Sequence, residues 1–111
     1  MATFVDQDGR NKVHTTVRNE GADTIVRYHD TDIVRFNHDY VWLNTGGFNT
    51  ATTKRRINQA AEKYDLGFWV YQKDHEWFIQ EESYGETIWF NEEIKMHRPS
   101  VLDEFGLVQN P

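Results

Sequence analysis

One stretch of this chain repeats its apolar residues at helical period, and it lies between two stretches that repeat at every second residue. Thr53, Ile57, Ala60 and Tyr64 fall at i, i+4, i+7 and i+11, with Ala61 beside them, so a helix here carries a single apolar stripe. Thr50 or Thr52 is placed to cap its start, and the helix is expected to run to about Tyr64 or Asp65 with Gly67 as terminator. A helical wheel sets Arg55, Gln59 and Glu62 opposite the stripe, Arg56 and Lys63 on one edge, and Lys54 and Asn58 on the other. The stripe has to pack on sheet, because both flanks read as sheet.

On the N-terminal side, residues 12–18, 24–29, 33–37 and 40–44 read as strands. They are separated by turn-forming residues at 19–23, 30–32 and 38–39, and Thr45-Gly46-Gly47 closes the meander. On the C-terminal side, 68–73 and 76–81 form a hairpin about Asp74-His75, and 86–91 is a further strand. Pro99-Ser100 followed by Val-Leu-Asp103 predicts a short helix ending near Gly106. The expected fold class is α+β: an antiparallel β-meander, one central amphipathic helix packed on the sheet, a second β-meander and a short C-terminal helix. A single domain over residues 1–111 is expected, with 1–11 as a loose arm and 99–111 as short helix and tail.

Composition narrows the chemistry. The chain has no cysteine, which removes disulfides, thiol nucleophiles and thiolate metal sites. No apolar run approaches the roughly 18 residues of a membrane span, and the N-terminus has neither the basic nor the apolar region of a signal peptide, so a soluble intracellular protein is expected. Phe, Tyr and Trp make up 14% of residues and largely replace aliphatic core material, which favours sheet. The four tryptophans, Trp42, Trp69, Trp77 and Trp89, exceed what a small core absorbs, so some are expected at a rim or interface, although ordinary sheet packing is the preferred reading for any single one.

Charge is uneven. Residues 1–73 carry ten basic and nine acidic side chains, whereas residues 74–111 carry two and nine. Net charge of −6 argues against a general nucleic-acid coat protein, but residues 44–61 hold Lys54, Arg55 and Arg56 with no acidic residue. There, Gly46 and Gly47 precede Thr52, Thr53 and the basic triplet at a helix start. Backbone N–H groups, the helix dipole, hydroxyls and cations together suit a phosphate or nucleic-acid backbone; the alternative, which is preferred, is that the glycines turn the chain, the threonines cap the helix and the basic residues are solvated. Walker-type spacing is absent. If this segment binds nucleic acid, alanine at Lys54, Arg55 and Arg56 should abolish binding with little change in melting temperature.

From Tyr28 to Phe78 the chain shows Tyr-His-x-Thr-x-Ile-Val, then Leu43-Asn-Thr-Gly-Gly47, Thr50-x-Thr-Thr-Lys54-x-Arg56-Ile-Asn-Gln59, Val70-x-Gln-Lys73 and Trp77-Phe78. This pattern resembles a family of small, largely uncharacterised proteins of bacteriophage and prophage genomes. The resemblance implies a phage protein acting in the cytoplasm of an infected bacterium, and it brings no catalytic residue or cofactor with it.

Enzyme chemistry finds little support in the residues. If the strand between them is extended, His29 and His38 lie at opposite ends of it, roughly 17 Å or more apart at about 3.3 Å per residue, too far to share one metal. Glu81-Glu82 and Glu92-Glu93 point to opposite sides if extended. No catalytic residue, metal site or cofactor is expected, and a small nuclease or metal-dependent hydrolase is the least favoured of three readings. The reading favoured is a non-catalytic accessory protein that binds a host protein or protein complex, for host takeover or as an anti-defence inhibitor. Its partner-binding residues are expected among Trp77, Glu81, Glu82, Trp89, Glu92 and Glu93, where an acidic aromatic face could occupy a nucleic-acid site. The alternative is a nucleic-acid-binding module built on Gly46, Gly47, Thr52, Thr53, Lys54, Arg55 and Arg56, and the two sites could coexist on opposite ends of the domain. A homo-oligomer is compatible with either, and no membrane contact is expected.

Overall fold

The computed structural model describes residues 14–82 and 85–98. The expected arm at 1–11 and the short helix within 99–111 lie outside the described residues. The elements run β1 (Thr15–Glu20), β2 (Asp23–Tyr28), β3 (Thr31–Phe36), β4 (Tyr40–Asn44), α1 (Ala51–Lys63), β5 (Phe68–Lys73), β6 (Glu76–Glu81), β7 (Thr87–Phe90) and β8 (Glu93–His97). They form two antiparallel sheets, a five-stranded one in the order β1-β2-β3-β4-β8 and a three-stranded one in the order β5-β6-β7. The α+β class and both meanders are as expected. The strand β8 is not: it leaves the second sheet and returns to pair with β4, so that Leu43 faces Ile94 and Val41 faces Met96.

One apolar cluster joins the two sheets and the helix. Val26, Val34 and Leu43 lie in one cross-strand row, Phe36 and Val41 in the next, and both rows meet Ile57, Ala60 and Ala61 of α1 and Val70, Trp77, Ile79 and Phe90 of the small sheet. A bulge sets the register of β3. Val26 opposes Val34 while Arg27 opposes Asp32, leaving Ile33 as an extra residue. Strict alternation would turn Ile33 outward and carry Asp32 to the core side. The bulge instead buries both Ile33 and Val34, and burying one such side chain stabilises by about 2 kcal/mol.

The helix is fixed at both ends by its own sequence. Thr50, extended at φ −99° and ψ 150°, accepts a hydrogen bond from the Thr53 N–H. At the other end Asp65, not Gly67, takes the left-handed conformation at φ 54°. Leu66 N–H reaches Ala61 O at 2.9 Å and Asp65 N–H reaches Glu62 O at 3.3 Å, a Schellman closure. Along the flank, Asn58 uses its side-chain amide as a strand would use its backbone. Its Nδ2 donates to Val70 O at 2.9 Å and its Oδ1 accepts from Val70 N at 2.7 Å, closing the outer edge of β5 against the helix. Arg56, expected at the edge of the stripe, is wholly buried. Its Nε donates to Thr15 Oγ1 and its Nη1 to Gln59 Oε1, each at 3.1 Å, and the guanidinium lies 5.8 Å from the Tyr28 ring centroid.

The outer face of the large sheet carries paired charges. Arg18 grips Asp32 with two hydrogen bonds of 3.0 and 2.8 Å, Arg27 adds a third at 3.3 Å, and Arg35 reaches Asp23 at 2.6 Å. Ile25 is buried between Arg18 and Arg35 in register, outside the main cluster. Lys95 lies 4.3 Å from the Tyr40 ring centroid and 5.1 Å from that of Trp42. Hydrogen bonding to Arg18, then the charges of Arg18 and Arg27, hold the Asp32 carboxyl below its usual 3.8 against some desolvation. Asp23 is lowered in the same direction, first by Asn37 and then by Arg35.

Three expectations follow from these contacts. Replacing Asn58 by Ala or Leu leaves the Val70 N–H and C=O without their partner, and urea unfolding should show a loss of about 2 kcal/mol that neither residue rescues. Alanine at Arg56 should cost about 2–4 kcal/mol through the lost packing and the stranded Thr15 and Gln59 groups, whereas alanine at Lys54 or Arg55 should stay within about 0.5 kcal/mol. The triple variant at 54–56 therefore melts lower instead of staying near the parent. Finally, a carboxyl with a depressed folded-state pKa contributes stability above its usual value of 3.8 and loses it as pH falls through the folded value. Thermal melts should decline below about pH 4, and Asp32→Asn should lower the neutral-pH plateau while shallowing that decline.

Candidate functional site

The hairpin of β5 and β6 turns on Asp74 and His75, both at positive φ (53° and 66°), a two-residue connection of the primed type. This pairs Lys73 with Glu76 and hence Tyr71 with Phe78 and Gln72 with Trp77. Alternation then sorts the side chains. Val70, Ile79, Trp77 and Phe90 face the core, while Trp69, Tyr71, Phe78 and Trp89 share the outer face. Tyr71, Phe78 and Trp89 form one cross-strand row, with the Tyr71 and Phe78 rings stacked at 5.3 Å. Trp69 is 44% exposed and Trp89 55% exposed, so two indoles stand in solvent on one sheet face.

Beside Trp69 lies a cleft of about 350 Å³ between the C-terminal half of α1 and the start of β5. Glu62, Asp65 and Glu82 line it together with Trp69 and Phe68. The C-terminal end of the helix dipole adds negative potential there. Burial, then the neighbouring charge of Glu86, push the Glu81 carboxyl above its usual value.

The residues expected to hold phosphate are placed as follows. Gly46 and Gly47 take positive φ of 67° and 82°, and a Cβ on Gly46 would come within 2.7 Å of Thr31 Oγ1, so the turn needs glycine there. Their N–H groups are engaged within the loop: Gly46 donates to Asn44 Oδ1 at 2.7 Å and Gly47 to Thr45 Oγ1 at 3.3 Å. Thr53 is buried and its Oγ1 accepts from the Thr50 hydroxyl at 3.0 Å. Thr52 lines a second cleft of about 360 Å³ with Phe48, His29 and Tyr28. Lys54 and Arg55 are half-buried, and Arg56 belongs to the core, so the surface triplet reduces to a pair.

The expected partner-binding residues divide. Trp77 is a core residue, 1% exposed, with its Nε1–H donated to Asn49 Oδ1 at 2.8 Å. It stands one position out of phase with the outer row. Trp89, Glu81 and Glu82 belong to the small sheet or its margin. Glu92 and Glu93 belong elsewhere: Glu93 faces Asn44 across β4 and β8, and the Glu92 carbonyl accepts from Thr45 N at 2.9 Å. The Glu92 carboxylate lies against Gly47, 3.4 Å from where a Cβ would stand. An acidic residue of one expected site thus abuts the other, instead of the two occupying opposite ends. Trp69, Tyr71 and Phe78, absent from the expected set, stand on the outer face with Trp89, as the two-residue turn and period-two alternation dictate.

His14 and His29 stack at 4.3 Å, and among the described residues no group of three or more His, Cys, Asp or Glu is placed to hold a metal ion. Among the described residues no helix is long and apolar enough to cross a membrane.

Comparison with known proteins places the chain. No curated protein and no solved structure matches it. Residues 1–97 match the family described as Kyanoviridae Gp96 protein, which takes in β1 to β8, the helix and the whole small sheet. The chain therefore belongs to the Kyanoviridae Gp96 family of phage proteins.

Proposed function

We propose that this phage protein is a non-catalytic accessory protein that binds a host protein in the cytoplasm of an infected bacterium and modulates it, in host takeover or as an anti-defence inhibitor. The observation that carries the reading is the outer face of the small sheet, where Trp69 and Trp89 are exposed beside the stacked Tyr71 and Phe78 while the other face of the same sheet packs in the core. Large aromatic side chains with few rotatable bonds dominate the energetics of protein interfaces. Two exposed indoles beside half-buried rings on one face are what such an interface uses and what folding alone does not require.

A nucleic-acid module at the helix start has less behind it. Its glycine N–H groups have partners within the loop, Arg56 is taken up by the core, and the Glu92 carboxylate lies against Gly47. Lys54 and Arg55 remain as its cations.

Recovery of a tagged protein from infected cells separates the readings. Partner yield should fall at least about tenfold for a Trp69→Ser, Trp89→Ser variant with an unchanged circular dichroism spectrum, and should persist for Lys54→Ala, Arg55→Ala. An undiminished yield from the tryptophan variant would sink the proposal. DNA or RNA binding that weakens steeply with salt and vanishes in the Lys54, Arg55 variant would move the function to the helix start.

A further inference from the structure

We infer that the occupant of this face is a basic segment of a partner protein, which sets an arginine or lysine in the cleft of Glu62, Asp65 and Glu82 beside Trp69 and lays its apolar flank across Tyr71, Phe78 and Trp89. The inference rests on the proposed docking role of the small sheet and adds the chemistry of what docks.

Charge complementarity selects the occupant. The aromatic row offers ring faces, which attract cations as well as apolar surface. The margin next to Trp69 offers carboxylates: Glu62, Asp65 and Glu82 line the cleft. A guanidinium or ammonium entering the cleft meets Trp69 and these carboxylates in its lining, with the negative end of the α1 dipole beside it.

The same charges disfavour the other occupants. A single-stranded nucleic acid stacks well on aromatic sheet faces, but such proteins flank the aromatics with a positively charged groove, and this margin is acidic. A second copy related by a twofold axis would bring like surfaces together and set carboxylates against carboxylates in a chain of net charge −6.

The test is a selection of displayed random twelve-residue peptides on the full chain, with enriched peptides synthesised and measured against three proteins. These are the parent, a Trp69→Ala, Trp89→Ala variant, and a Glu62→Gln, Asp65→Asn, Glu82→Gln variant. Asn at position 65 tolerates the left-handed backbone there, and thermal melts verify that each variant is folded. Enriched peptides are expected to carry arginine or lysine beside apolar residues. Their affinity should fall at least about tenfold in both variants, and in the parent when citrulline replaces arginine. Peptides that need the tryptophans but are neutral or acidic, or that bind the acid-neutralised variant undiminished, overturn the inference and leave the docking face standing. Peptides indifferent to the tryptophans, or no enrichment at all, overturn both. Salt-sensitive binding of single-stranded RNA that requires Trp69 and Trp89 also overturns the inference, assigning the face to nucleic acid.

Discussion

The arrangement depends on a helix that must satisfy a strand edge as well as a core. A β5 edge facing α1 would leave the Val70 N–H and C=O without a ladder partner, and an unpaired buried peptide group costs about 1–3 kcal/mol. Asn58 supplies both missing bonds from a side chain. One face of α1 thus fills the apolar cluster with Ile57, Ala60 and Ala61 while its flank completes the small sheet. The sheet can then be only three strands wide, with its outer face left open.

Much of this was legible. The strands of both meanders, the Thr50 cap and the helix length follow from period, turn residues and capping chemistry, each of which acts over a few residues. What escaped depends on partners distant in the chain. The pairing of β8 with β4 needs a return from the second sheet that 93–97, short and mostly polar, does not announce. Arg56 is buried because Thr15, Gln59 and Tyr28 surround it, and no local pattern records that. The β3 bulge hides behind an ordinary Asp-Ile-Val, since two adjacent buried residues break the alternation by which strands are recognised.

The expected partner-binding set departs from the structure in a different way, one of parity. Trp77 and Phe78 are adjacent, and which of them faces solvent is decided by the number of residues in the Asp74-His75 turn. Counting from that turn puts Phe78 outward with Tyr71 and Trp89. Choosing the larger aromatic puts Trp77 there, one residue out of phase. At the helix start, sequence proximity suggested an anion cradle from groups that the fold uses on one another: Asn44 and Thr45 take the glycine N–H groups, and Glu92 arrives from far along the chain. The acidic third of the sequence does not stay together either, since Glu92 and Glu93 go to the large sheet and Glu81 and Glu82 to the small one.

The late pairing of β8 also orders the birth of the molecule. As the chain leaves the ribosome, the first four strands emerge with the open edge of β4 and the apolar Val41 and Leu43 unprotected until residues 93–97 follow. Their closure waits on the helix and the entire small sheet, a high-separation contact of the kind that slows folding. Through that interval a growing chain exposes a strand edge to its neighbours on the same message. The pairing of β8 is therefore the step at which assembly and aggregation compete.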